Sequence, residues 1–326
     1  MGVQKTDRLT WRLALANLVA QIAIIVTGGA VRLTGSGLGC PEWPLCEPGS
    51  LIPREMSSIH PYVEFGNRLM SPVLLVITVA LIWAFYRRPP MRSRPLRLKR
   101  LPWLVLAGIA VQAVIGGISV WTDLHSTIVG VHMLISLVLV AFSMYLMYRL
   151  ASPDTRPQAL LSSARRFLPW ALAALITAVV VLGTVVTGAG PHSGDAEAGH
   201  IYDIDPVLAA RLHAVSVWVF LAVVVLVAAV LFGRQRPDPR LSGARRAWWW
   251  VLAATVFNGA VGYVQHATGL PELLVGLHML GSGLIVAATT WLCAALYYRP
   301  EHVGTTGETT VRERRDAHDV AIQHRH

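Results

Sequence analysis

The 326-residue sequence is 54% hydrophobic and only 14% charged, with a mean hydropathy of +0.52. A soluble domain carries about 25% charged residues, so this composition excludes an ordinary water-soluble globule. The formal charge of +10 does not mark a nucleic-acid partner, because the basic residues flank apolar runs instead of forming one face.

Eight apolar runs, each near the ~20 residues that cross a bilayer, fall at 12–31, 65–86, 103–121, 128–148, 168–187, 207–232, 247–265 and 274–298. Each is expected to be a helix, because a spanning segment must satisfy its own backbone hydrogen bonds inside lipid. The first run is too long for a signal-peptide core and passes into Gly28 and Gly29 without a small-residue cleavage pattern, so it is read as a retained span. After it, Cys40 and Cys46 enclose Pro-Glu-Trp-Pro-Leu. Two cysteines at this separation close either a structural staple or a redox-active pair.

The second run opens with Glu64, Asn67 and Arg68, and Glu64 and Asn67 share a helix face. His60 precedes it, but Pro61 argues against a helix reaching back that far. The third and fourth runs carry Gln112, Gly116, Gly117 and His132; the sixth carries Arg211 and His213; the seventh and eighth carry Asn258, Gly259, Gly262 and His278. Cys293 reads as ordinary packing. His125, His192, His200 and His266 have no partner at ligand spacing, and residues 299–326 read as a polar, disordered tail.

All but four of the 28 basic residues lie in the amino-terminal flank, in the loops after the second, fourth and sixth runs, or in the tail. The exceptions are Arg32, Arg54, Arg68 and Arg211. This bias is the positive-inside pattern and places both termini in the cytoplasm.

The two halves of the chain repeat one another. Gly130-Val131-His132-Met133-Leu134 returns as Gly276-Leu277-His278-Met279-Leu280, and at the same offset Gln112 meets Asn258, Gly116 meets Gly262 and Ser136 meets Ser282. Thr34-Gly35-Ser36-Gly37 is echoed by Thr187-Gly188-Ala189-Gly190. The expected fold is therefore all-α and integral to the membrane: eight transmembrane helices in two four-helix bundles related as parallel repeats. The boundaries are 1–150, 151–298 and a tail at 299–326.

Histidine inside lipid is costly enough to signal function. His132, His213 and His278 share a depth near the outer ends of their spans, and paired imidazoles across a bundle suit axial ligation of haem iron. A hydrogen-bonded core histidine is the alternative, and zinc lacks a third or fourth ligand at that depth. In the first half the position matching His213 is Asn67, and Glu64 has Ala210 as its counterpart. Glu64 is a candidate for proton handling or a partner for Arg68 or Arg32. Arg68 and Arg211 suit haem propionates or simple anchoring at the interface.

The segments Gly28-Gly29-Ala30-Val31-Arg32-Leu33-Thr34-Gly35-Ser36-Gly37, Cys40-Pro41-Glu42-Trp43-Pro44-Leu45-Cys46, Glu64-Phe65-Gly66-Asn67-Arg68 and the two Gly-x-His-Met-Leu runs resemble the haem A synthase family over about residues 12–298. The resemblance implies haem b held by His213 and His278 in the carboxyl-terminal half. It also implies substrate haem O beside His132 and Glu64 in the amino-terminal half. A porphyrin methyl is then oxidised to a formyl group through hydroxylated intermediates, with haem O synthase as the supplying partner and the cell membrane as the location. Many members have histidine where this chain has Asn67, and many carry a second cysteine pair absent here. The rival readings are a b-type cytochrome exchanging electrons with quinone, and a transporter, which should show helices broken at the midplane.

Overall fold

The structure, a computed structural model, describes residues 7–54, 58–190, 202, 204–233 and 238–300. Lys5, Arg234, Arg236, His192, His200 and the tail beyond Pro300 lie outside the described residues. Eight long helices follow the apolar runs: α1 (Arg8–Leu33), α2 (His60–Arg87), α3 (Leu96–Trp121), α4 (Ser126–Leu150), α5 (Leu168–Ala189), α6 (Pro206–Phe232), α7 (Ser242–Ala267) and α8 (Glu272–Ala295). All eight are long and apolar enough to cross a membrane. Their outward faces carry large apolar side chains such as Val76, Trp170, Trp218 and Leu273, all exposed, and helices apolar on every side are those that lipid surrounds.

Helices α1 to α4 pack as a ring in which each touches the next and α4 closes on α1. Helices α5 to α8 form a second ring, with α8 closing on α5. The rings meet where α1 and α4 pack on α8 and where α4 packs on α5. Arg32 of α1 donates from Nη2 to the Thr187 carbonyl at the end of α5, at 3.0 Å. In the first ring a buried polar cluster joins three helices: Thr78 Oγ1, which donates to the Leu74 carbonyl (2.7 Å), lies 3.1 Å from Asn17 Oδ1, and Asn17 Nδ2 donates to Ser143 Oγ (2.8 Å).

Helix ends depart from the apolar runs in physical ways. Helix α2 begins at His60, because Pro61 occupies the first turn, where no intrahelical N–H is required of it. The expectation that Pro61 bars helix there is corrected. At the other end of the chain α8 stops at Ala295. Tyr297 and Tyr298, inside the last apolar run, form a two-residue strand, β2, antiparallel to β1 (Gln158–Ala159). This stitch ties the segment between the two rings to the end of α8. Tyr148 (3.1 Å) and Thr155 (2.7 Å) reinforce it by donating to the Tyr297 and Pro300 carbonyls. The same segment holds Asp154, whose Oδ2 lies 3.0 Å from Nε of the buried Arg94.

Asp7 caps α1 by accepting from the Thr10 N–H (3.1 Å) and pairs with Arg88 after α2 (2.8 Å). The Arg88 guanidinium holds the Asp7 carboxyl below its ordinary value of 3.8. A depressed folded-state value means that the stabilisation is present above the ordinary pKa and is lost as pH falls through the depressed one. An Asp7→Ala variant is expected to lose about 1 kcal/mol at neutral pH. In thermal melts of detergent-solubilised protein the deficit narrows as pH drops below 3.8; a deficit that stays constant down the acid range contradicts the assignment.

Candidate functional site

A histidine ring needs a seat on the helix beside it, and in this fold the seat is a glycine. A methyl group at Gly183 of α5 would lie 3.3 Å from His213 Cε1, and one at Gly262 of α7 only 3.1 Å from His278 Cε1. In the first ring the same relation holds between Gly116 of α3 and His132 of α4, at 3.5 Å. The remaining hairpin, α1 with α2, pairs Gly28 with Asn67, whose Oδ1 and Nδ2 would be 3.8 and 3.9 Å from such a methyl. Each of the four hairpins therefore presents one nitrogen-bearing side chain over one glycine. Gly28, Gly116 and Gly262 stood out in the sequence as small residues; Gly183 did not, because no repeated motif surrounds it.

The glycine also leaves open the carbonyl one turn earlier. His213 Nδ1 lies 3.0 Å from the Val179 carbonyl. A carbonyl only accepts, so Nδ1 carries the proton and Nε2 is left as a ligand. His278 Nδ1 is turned toward the backbone of Asn258, short of full hydrogen-bond geometry. His132 Nδ1 is buried without a hydrogen-bond partner among the described residues.

His213 and His278 stand on diagonal helices of the second ring, their centroids 6.3 Å apart and their planes at 71°. Two metal–imidazole bonds of about 2 Å each, plus about 1.1 Å from each ring nitrogen to its centroid, sum to roughly 6 Å. The pair thus fits one metal ion held from both sides, as in axial ligation of haem. Among the described residues no three His, Cys, Asp or Glu side chains gather as a protein-only metal site.

In the first ring, Asn67 and His132 stand on the corresponding diagonal, α2 and α4. Asn67 Oδ1 accepts from the Thr27 hydroxyl at 2.8 Å. Glu64 is buried, its Oε2 accepting from the Cys40 N–H (2.7 Å) and its Oε1 from Arg68 Nε (3.0 Å). Of the two partners open to Glu64 it takes Arg68, while Arg32 turns to Thr187. Arg68 further donates from Nη1 to the Glu42 and Leu45 carbonyls and from Nη2 to the Cys40 carbonyl, each at 2.8 Å, and to Glu64. All five guanidinium donors are taken up inside the protein.

The loop that Arg68 grips is closed by a Cys40–Cys46 disulfide. It drives Trp43 onto Gly117 of α3, next to the Gly116 that seats His132, and edge-on to Trp121 at 5.5 Å. The loop is therefore a roof over the first ring; Trp43, from the cysteine-bounded motif, and Thr27, which no pattern in the sequence marks, join the candidate site. His60 is turned to Ser36 Oγ at 2.9 Å. Arg211 is exposed, two residues before His213 on α6.

Replacing Arg68 leaves Glu64 buried without its countercharge and frees three loop carbonyls. Losing one partner of such a pair costs roughly 3–5 kcal/mol, and a lysine cannot reproduce the planar fork. Arg68→Ala and Arg68→Lys are both expected to lower the melting temperature and to speed reductive labelling of Cys40 and Cys46. Labelling of Arg68→Lys at the unsubstituted rate would refute the clamp.

The COX15-CtaA family, described as cytochrome oxidase assembly protein, matches residues 11–192, from the start of α1 past the end of α5. Among curated relatives, "Heme A synthase" of Lysinibacillus sphaericus is 33% identical over 42% of this chain and 43% of its own. "Heme A synthase" of Staphylococcus haemolyticus is 31% identical over 56% and 57%, and that of Shewanella oneidensis 28% over 56% of each. The matched regions span about a third to somewhat over half of the relatives' length. With more than half of its residues matched, from the first helix through the roof loop and His132, the chain belongs to the COX15-CtaA family of cytochrome oxidase assembly proteins.

Proposed function

We propose that the chain is a haem A synthase, an oxidoreductase that converts a methyl group of haem O to a formyl group through hydroxylated intermediates, giving haem A for cytochrome oxidase. The observation that carries the reading is the facing pair His213 and His278 in one ring. The other ring holds His132 and the buried Glu64, in a member of a cytochrome oxidase assembly family.

The two rings are duplicated halves with different tasks. In residues 151–298, His213 and His278 would hold haem b, with the Val179 carbonyl fixing the His213 ring. When bound, a haem with both axial positions filled supplies electron relay. Arg211, exposed near His213, is the arginine free to meet a propionate carboxylate. In residues 1–150, His132 receives the iron of the substrate, haem O, beneath the loop that Arg68 holds. The roof excludes water from the porphyrin edge and orients it.

Oxidation of a methyl group releases protons. Glu64 is the only buried Asp or Glu among the described residues, one turn from Asn67. It is the group assigned to accept a proton there, with Arg68 and the Cys40 N–H holding its carboxylate in position. The protein works in the cell membrane with both termini cytoplasmic, taking haem O from haem O synthase and passing haem A toward oxidase assembly.

The test is pigment extraction from membranes of a host that makes haem O but no haem A. Haem A is expected only when this chain is expressed, with a drop of about 100-fold in Glu64→Ala. His213→Ala and His278→Ala are expected to lose a low-spin b-type spectrum. Bound haem b with no new haem species would refute the synthase reading and leave an electron-transfer cytochrome.

A further inference from the structure

We infer that the first ring gives iron a single imidazole, His132, and that Asn67 opposite is a hydrogen-bond donor over an open axial position. The inference rests on the haem-binding reading above. It concerns what this chain's own residues do on the α2 side.

Three of the four hairpins seat an imidazole on a glycine, and the fourth seats an amide. An amide nitrogen has its lone pair delocalised, and an amide oxygen suits hard ions such as calcium or magnesium better than haem iron. The oxygen is in any case engaged. Thr27 Oγ1 has one proton to give, and Asn67 Oδ1 lies 2.8 Å away against 3.3 Å for the Ile24 carbonyl. The shorter contact takes the proton, and among the described residues the two amide N–H donors of Asn67 are left unclaimed.

Among the described residues, the other side chains near Asn67 that could complete the coordination are engaged or set apart from it. Glu64 is bound by Arg68 and the Cys40 N–H, and His60, exposed and seven residues before Asn67 on α2, lies at the mouth of the ring with its Nδ1 on Ser36. The thioether of Met279 packs on Gly29, the neighbour of the glycine that seats Asn67. An iron held by His132 therefore has a sixth position free for a small neutral or anionic ligand with a lone pair, steadied by the Asn67 N–H. Distal donors of this kind separate haem sites that bind and activate a ligand from sites that only carry electrons.

The experiment uses the purified full chain in detergent with its bound haems, read by absorption and by infrared spectroscopy of bound carbon monoxide. Reduced protein is expected to bind carbon monoxide at the first-ring haem only, and His213→Ala retains this binding. Asn67→His is expected to turn that haem low-spin and abolish carbon monoxide binding. Asn67→Leu and Thr27→Val keep carbon monoxide binding but shift the carbon–oxygen stretch upward, because the donor is lost or released. Two results overturn the inference alone: a first-ring haem that is already low-spin and refuses carbon monoxide, or a stretch unmoved in both Asn67→Leu and Thr27→Val. Complete loss of haem in His213→Ala, with none held through His132, overturns the substrate site itself and the inference with it.

Discussion

An imidazole in a lipid-embedded bundle has two requirements: room for its ring against the next helix, and an acceptor for the nitrogen that does not bind the ligand. A single glycine on the facing helix meets the first and, for His213, the second as well. Removing Cβ opens the seat, and the helix backbone thereby bared offers the carbonyl one turn earlier. Gly183 with the Val179 carbonyl does both for His213, and Gly262 opens the seat for the His278 ring. The rest of the architecture follows from keeping these hairpins in register, since a helix rotated by one residue would turn its ring to lipid.

Within that repeated scaffold the two rings are finished differently. The second sets two imidazoles on diagonal helices, 6.3 Å apart with their planes at 71°. The first sets one imidazole beneath a disulfide-closed loop whose carbonyls would otherwise compete for water at the membrane surface. Arg68 satisfies three of those carbonyls and Glu64 balances its charge, so the cost of burying an ion pair is offset by complete hydrogen bonding. The clamp and the site are thus one structure, since the loop it holds drives Trp43 onto the helix that seats His132.

The sequence carried the helices and the intramembrane histidines well, because both are set by the cost of polar groups in lipid. It located helix ends less well: hydropathy reports where lipid lies, and α2 and α3 continue as helix beyond it to His60 and Leu96. The Glu64–Arg68 pair was open to reading from spacing alone. The three carbonyls that complete Arg68 were not, since they converge only when the 40–46 loop is closed. Gly183 and Thr27 were illegible for a related reason: a glycine or threonine in an apolar run has no distinguishing pattern until its neighbour on the next helix is known.

Position 67 shows how chemistry can diverge while the fold stays put. Asparagine is shorter than histidine, so it stands farther from Gly28 than the imidazoles do from their glycines and introduces no clash. Thr27 supplies the polar partner that an amide buried in lipid requires. Neither adjustment moves a helix, so the ring closes as its counterpart does. What changes is the ligand field: a position that elsewhere holds a strong nitrogen donor now holds two N–H groups. Under the proposed haem-binding function, this is the smallest change that would leave one ring with a saturated metal site and the other with an open one.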